Sequence, residues 1–116
     1  MSYEKLRVYQ AAEELRLEVD KLGKSLVPKF KPLYEHLDEA VDSISNNIAE
    51  GAESIYPGKR RSFYDIAANS TKEARRCIRS LDKRGGFRGA PAFRPVVLTL
   101  SIGKMLAALI ASLPDK

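Results

Sequence analysis

Residues 44–51 read Ile-Ser-Asn-Asn-Ile-Ala-Glu-Gly, and they lie within a long helical pattern. Apolar residues around this segment recur every three or four positions, so at about 100° per residue they share one side of a helix. The spacing therefore predicts an amphipathic helix from about Leu33 to Ile55. Its apolar series is Leu33, Leu37, Ala40, Val41, Ile44, Ile48, Gly51 and Ile55.

Gly51 stands inside this apolar series. A glycine within a helix costs roughly 1 kcal/mol of helix propensity relative to alanine. Because glycine has no side chain, it allows a neighbouring helix to approach closely. We therefore predict a tight contact between two helices at Gly51.

Polar residues flank the same series at Ser43, Asn47, Glu50 and Ser54. A half-buried amide or carboxylate needs fixed hydrogen-bond partners. We predict that Asn47 and Glu50 are hydrogen-bonded where this helix meets a neighbour. Their predicted role is structural rather than catalytic.

Three further helices are predicted from apolar spacing and from the glycines and prolines that separate them. They run from about Glu4 to Lys24, from about Lys59 to Arg84 and from about Pro95 to Leu113. No strand pattern stands out. The 116 residues are therefore predicted to form a single domain, residues 1–116, with an all-α four-helix bundle fold.

The third helix is predicted to bury one apolar face in the bundle. That face consists of Phe63, Ile66, Ala67, Ser70, Ala74, Cys77, Ile78 and Leu81. The loop that follows, residues 85–95, interleaves Phe87 and Phe93 with Arg88 and Arg94. Such rings can stack on nucleic-acid bases, but in most loops of this kind the aromatic side chains pack into the end of the bundle.

The fourth helix is apolar on almost every side, since Lys104 is the only charged residue from Val96 to Leu113. Its length is compatible with a membrane span. The central lysine, the small residues and the amphipathic character of the other helices favour burial in protein instead. We therefore predict no membrane partner and a homo-oligomer. The predicted subunit contacts lie away from the bundle seam at Leu6, Leu17, Val97, Leu100 and Ala107.

The inventory of reactive side chains argues against an enzyme. His36 and Cys77 are the only histidine and the only cysteine, so the usual Cys/His metal cluster cannot form in one chain. No nucleophile–base pattern is visible. We expect no catalytic residue, no metal and no cofactor. With one cysteine an intramolecular disulfide is impossible, and the cytoplasm is the expected compartment.

The positive charge is concentrated in one part of the chain. The net charge is +5, while residues 59–94 hold eleven Lys or Arg against three acids. A row of basic residues shares the outer side of the third helix and could bind phosphates; the alternative is a solvated face that keeps the protein soluble. The candidate nucleic-acid-binding residues are Arg61, Lys72, Arg75, Arg76, Arg79 and Lys83.

Three segments together resemble a known family. Residues 3–12 read Tyr-Glu-Lys-Leu-Arg-Val-Tyr-Gln-Ala-Ala, residues 43–51 read Ser-Ile-Ser-Asn-Asn-Ile-Ala-Glu-Gly, and residues 62–74 read Ser-Phe-Tyr-Asp-Ile-Ala-Ala-Asn-Ser-Thr-Lys-Glu-Ala. They are similar to the four-helix-bundle family named for 23S rRNA intervening sequences. The second segment is close to that family's Ser-Ile-x-x-Asn-Ile-Ala-Glu-Gly signature. The signature residues here are Asn47, Ile48, Ala49, Glu50 and Gly51.

The resemblance implies an up-down-up-down bundle that assembles as a ring-like homopentamer in bacteria. A related branch contains the accessory protein of diversity-generating retroelements, a basic pentamer that binds nucleic acid and a reverse transcriptase. The chain departs from the family at Asp38 and Glu39, where members usually carry basic residues, and at Asn69, where many have glycine.

The sequence thus predicts a non-enzymatic, homo-oligomeric scaffold that binds RNA or DNA through the third helix. The alternative is an adaptor that binds another protein, such as a reverse transcriptase, with no nucleic acid involved.

Overall fold

Four α-helices account for most of the chain in the computed structural model, which describes residues 3–114. They are α1 (Arg7–Gly23), α2 (Lys31–Glu53), α3 (Pro57–Lys83) and α4 (Phe93–Ser112). Short 3₁₀ turns lie at Tyr3–Lys5 and Pro28–Phe30. The described residues contain no strand, so the all-α prediction is confirmed.

Prolines define where three of the helices begin, and they explain small differences from the predicted bounds. Pro57 is the first residue of α3, and Pro32 lies in the first turn of α2. Proline fits there because the first N–H groups of a helix have no partner within it. Helix α2 therefore begins at Lys31, before Pro32 rather than after it. Pro95 likewise lies inside the first turn of α4, which begins at Phe93.

Each helix packs against two others, because α1 and α3 both contact α2 and α4. The buried side chains form one core that all four helices share. Its largest fully buried members include Leu15, Leu37, Ile44, Ile78 and Ile102. A mutual core of this kind explains how amphipathic helices of modest length are stable together.

The predicted tight contact at Gly51 is confirmed. A Cβ atom added to Gly51 would lie 2.6 Å from Cε1 and 2.8 Å from Cδ1 of Tyr64 on α3. The Tyr64 ring is buried, so it occupies the space that a side chain at residue 51 would need. The absence of a side chain at Gly51 therefore determines how closely α3 packs on α2.

The buried face of α3 is rotated relative to the predicted one. Ile66 is 47% exposed, while Tyr64 and Thr71 are buried in its place. Because α3 packs against both α2 and α4, its buried arc is displaced toward the side that carries these two residues. Thr71 tolerates burial because its hydroxyl donates to the Ala67 carbonyl at 2.7 Å.

A charged cluster joins α1 to α2. Arg16 donates to Asp42 at 2.8 Å, to Asp38 at 2.5 Å and to Asp20 at 3.0 Å. Burial lowers the pKa of Arg16, but hydrogen bonds from its guanidinium to Asp42 and Asp38 outweigh it, and the net shift is upward. Asp38, one of the two acidic departures from the family pattern, is therefore a partner of Arg16 in this chain.

The two aromatic residues between α3 and α4 differ in their burial. Phe87 is 1% exposed and packs in the core, and the Val27 N–H donates to the Gly86 carbonyl at 2.8 Å. Phe93 begins α4 and is 80% exposed. Packing into the bundle end is thus correct for Phe87 and wrong for Phe93.

Helix α4 leaves much of its apolar surface uncovered. It is the one described helix that is long and apolar enough to cross a membrane, yet only 28% of its most apolar stretch is buried. Leu98, Ile102 and Leu106 are buried in the core. The opposite side of α4 carries the exposed apolar residues Val97 and Leu100.

Candidate nucleic-acid interface

The six candidate basic residues lie on the side of α3 that faces away from the core. Lys72, Arg76, Arg79 and Lys83 are exposed, while Arg61 and Arg75 are half-buried. Spacings of three, four, seven and eleven residues place most of them on one helical face. We call this set, Arg61, Lys72, Arg75, Arg76, Arg79 and Lys83, the basic stripe.

No acidic side chain among residues 3–114 forms an ion pair with the basic stripe. The one acidic residue of α3 that contacts a basic side chain is Glu73, which contacts His36 of α2. The charges of the stripe are thus held on a rigid helix and are not neutralised within the chain. Such a surface is suited to phosphate groups, which accept hydrogen bonds from both arginine and lysine.

Asp65 interrupts the basic stripe, a feature that the sequence analysis missed. It is exposed and falls on the same helical face, between Arg61 and Lys72. From Lys72 to Lys83 the stripe extends about 17 Å along the helix axis at 1.5 Å per residue, with the exposed Asp82 at its edge, three residues after Arg79. Arg84 and Arg88, both exposed, continue the positive charge beyond its end.

Other basic residues near the stripe are already engaged. Arg60 donates from Nε to the Ser54 carbonyl at 2.5 Å and from a terminal nitrogen to the Ala52 carbonyl at 3.4 Å. These bonds satisfy carbonyls at the C-terminus of α2, a structural role. Arg94 is paired with Glu14 and Glu18 of α1. It is therefore not free to bind a phosphate group.

Asn47 of the signature has local partners. Its amide donates to the Ser43 carbonyl at 2.8 Å and to Ser43 Oγ at 3.1 Å. Ser43 Oγ lies 2.8 Å from Ser70 Oγ of α3. Asn47 therefore reaches the neighbouring helix through Ser43 and not directly, which refines the predicted contact.

Glu50 differs from the prediction. Its side chain is exposed and forms no hydrogen bond or ion pair with any other described residue. It lines a surface hollow of about 460 Å³ at the turn between α2 and α3. At about 100° per residue Glu50 lies roughly 130° from the middle of the apolar series, so the helical geometry itself agrees with an exposed side chain.

A second polar cluster joins α2 to α3 around His36. His36 Nε2 contacts Glu73, and both line a hollow of about 170 Å³ with Ser43 and Ser70. The two serine hydroxyls bond each other, and the described contacts include none between His36 and either serine. The cluster therefore joins the helices without forming a hydrogen-bonded nucleophile and base.

Cys77 lies in the core beside this region. It is buried, and desolvation, followed by the charge of Glu73, raises the pKa of its thiol. A raised pKa leaves little of the reactive thiolate near neutral pH. Within residues 3–114 no three His, Cys, Asp or Glu side chains form a group that could hold a metal ion.

Four of the five predicted subunit-contact residues are exposed: Leu17, Val97, Leu100 and Ala107. Leu6 is different, because it is half-buried and packs against the core of its own chain. The reason is that it stands at the N-cap of α1, where the chain has just turned onto the bundle. Phe93, which the sequence analysis did not include, lies on the same side of α4 as Val97 and Leu100.

The sequence matches the family model described as 23S rRNA-intervening sequence protein over residues 4–108. No curated protein matches the chain. The match covers all of the basic stripe, the signature at residues 47–51 and most of α4. The chain belongs to the family of 23S rRNA-intervening sequence proteins.

Proposed function

We propose that this protein is a non-enzymatic, homo-oligomeric scaffold that binds RNA or DNA through the basic stripe of α3. The observation that carries the proposal is that the stripe's basic residues have no acidic partner within the described chain. Phosphate oxygens would supply the missing negative charge. A net charge of +5 supports the same class of partner.

The chemistry of the stripe favours binding that does not depend on base sequence. Its residues are long cations on one helix. Of the exposed rings, Phe93 begins a different helix, and Tyr56 precedes α3 at the end far from Lys83. Contacts to phosphate position a protein on nucleic acid but carry no sequence information. The affinity should fall steeply with salt, because bound cations are released from the nucleic acid.

Assembly is the second part of the proposal. The outer side of α4 exposes Val97, Leu100 and Ala107, an apolar surface that a second copy of the chain would cover. With short connections between successive helices, we infer an up-down-up-down bundle and a ring-like oligomer, for which a pentamer is the expected size. Each subunit would then repeat the basic stripe, and several weak contacts would add as avidity.

The alternative is a protein adaptor, whose partner would be a reverse transcriptase or another protein. The exposed side of α4 and the hollow at the α2–α3 turn favour it as the second candidate, because either surface could bind a protein. On both proposals the protein works in the cytoplasm without a cofactor. The two differ in whether nucleic acid is bound at all.

Fluorescence anisotropy with a labelled single strand and a labelled duplex at low salt tests the leading proposal. Lys72→Glu combined with Arg79→Glu should abolish binding, because both residues are exposed and central to the stripe. Lys5→Glu combined with Arg7→Glu is the matched control, since it changes the charge equally on exposed residues away from α3. Absence of binding by the unmodified protein at tens of micromolar would leave the adaptor as the function.

A further inference from the structure

We propose that the hollow at the α2–α3 turn receives the outer side of α4 from a second copy of the chain. In this contact Lys104 of one copy pairs with Glu50 of the other. The inference rests on the homo-oligomer in the proposed function and identifies the two surfaces that meet. It goes beyond the predicted subunit contacts, which include neither the turn nor Lys104.

Two carboxylates of the hollow lie at the C-terminus of a helix, where negative charge is unfavourable. Glu50 and Glu53 lie in the last turn of α2, which carries no basic residue. The C-terminus of a helix has a partial negative charge, so acids there are destabilising. Neither carboxylate forms an ion pair or hydrogen bond with another described residue. A cation from outside the chain would relieve this cost.

The two basic residues nearest the hollow are occupied otherwise. Arg60 caps the end of α2 through its bonds to the Ser54 and Ala52 carbonyls. Lys59 lies over the Tyr56 ring, with Nζ 5.8 Å from the ring centroid, and it does not pair with Glu50 or Glu53. Lys59 itself lines the hollow, so the lining holds two acids against one base and its net charge stays negative.

Apolar side chains lie directly beside these carboxylates. Ile55 is 78% exposed and Tyr56 is 60% exposed, and Phe63 is the third apolar residue of the lining. The tight packing of Gly51 on Tyr64 draws α3 close to α2, and a connection of three residues, 54–56, leaves Ile55 and Tyr56 no room to fold inward. The site therefore combines a pair of unneutralised acids with exposed apolar surface.

The outer side of α4 has the complementary composition. Residues spaced by three or four along α4 place an apolar row on one side of the helix. Lys104 lies in the middle of this row, is exposed, and forms no ion pair with a described residue. The row consists of Phe93, Val97, Leu100, Lys104, Ala107 and Ala111.

The charge of Lys104 favours a contact between α4 and the hollow over a contact between two copies of α4. A lysine inside an apolar contact is costly unless a carboxylate of the partner pairs with it. Two copies of α4 facing each other would bring two Lys104 side chains together, whereas Glu50 supplies the opposite charge. The contact is thus between different surfaces of two copies, and repeating such a contact produces a closed ring or a filament rather than a symmetric dimer.

Charge reversal tests the pairing, with the oligomer measured by light scattering after size-exclusion chromatography. Glu50→Lys alone and Lys104→Glu alone should each weaken self-association by about tenfold or more, the effect expected when a desolvated charge faces a like charge. The double variant should recover it. Glu35→Lys, an exposed reversal on the same helix as Glu50, should leave the oligomer unchanged.

A mixture of the two single variants gives a second test, because each supplies the surface that the other lacks. The mixture should associate more tightly than either variant alone, as alternating chains or even-membered rings, since a ring of five cannot alternate two variants. Far-UV circular dichroism checks folding, and Glu50→Gln, which removes charge without reversing it, should show a smaller loss. If both reversals keep the oligomer of the unmodified protein, or the double variant stays dissociated, this pairing is wrong while the homo-oligomer stands. A monomeric unmodified protein would overturn both, and the anisotropy measurement would still decide nucleic-acid binding.

Discussion

At the scale of single residues, the helical pattern of α2 predicts a close contact at Gly51 but not the residue that makes this contact. A glycine inside an apolar helical face implies a close neighbour, and the neighbour is present. Its identity, the Tyr64 ring, depends on how α3 is rotated against α2, which the periodicity of α2 does not contain. Glu50 was predicted wrongly for a different reason, since at about 100° per residue it already lies well away from the middle of the apolar series of α2.

Gly51→Ala should lower stability even though alanine favours a helix. The added Cβ would meet the buried Tyr64 ring at 2.6 Å, and overpacking of a core costs about 1–3 kcal/mol, against about 1 kcal/mol gained in helix propensity. Gly58→Ala is the control, because nothing lies within 4 Å of its added Cβ. Urea unfolding should show a lower midpoint for the first variant only; an unchanged midpoint would mean that the ring moves away freely.

At the scale of the helices, sequence patterning located all four and misjudged one rotation. The apolar series of α2 agrees with the buried residues from Leu37 to Gly51, but Ile55 lies beyond the end of α2 at Glu53 and is 78% exposed. On α3, the pattern of hydrophobic residues predicted that Ile66 is buried and did not include Tyr64 in the core. Hydrophobicity alone does not show that the Tyr64 ring fills the space over Gly51. The Arg16 cluster was also missed, since Arg16 and its partners Asp38 and Asp42 lie on different helices.

The Arg16 cluster should stabilise the contact between α1 and α2. Arg16→Met keeps the volume of the side chain but leaves Asp20, Asp38 and Asp42 without their shared cation. These acids are partly solvated, so we expect a loss of about 1–2 kcal/mol in the free energy of unfolding. Lys21→Met breaks the exposed Lys21–Glu18 pair and should cost less than about 0.5 kcal/mol. Equal losses for the two variants in urea unfolding would show that the cluster adds nothing specific.

At the scale of the whole molecule, the charged surface and the exposed apolar surface lie on different helices. The basic stripe occupies α3, whereas the uncovered apolar row occupies α4. The sequence predicted both surfaces, because charge and hydropathy are local properties. It missed Phe93 on the row and the hollow around Glu50, since these depend on where α4 begins and on the turn between α2 and α3. Asp65 could have been found from sequence, because it lies four residues after Arg61, a spacing that places it on the stripe.

If assembly strengthens nucleic-acid binding, a monomeric variant with an intact stripe should bind more weakly. Leu100→Glu provides one. Leu100 is 43% exposed, and a glutamate there lies four residues before Lys104, a spacing that favours an ion pair within α4. The fold should therefore persist while the apolar row acquires a carboxylate and loses its free cation.

Light scattering should then show monomers, and anisotropy should show a large loss of affinity together with a smaller dependence on salt, because one stripe contacts fewer phosphates than several. Leu17→Glu on α1, also a predicted subunit-contact residue, separates the two helices: dissociation by only one of these substitutions identifies the helix at the contact. A monomeric Leu100→Glu variant that binds as tightly as the unmodified protein would show that a single basic stripe is sufficient and that avidity plays no part.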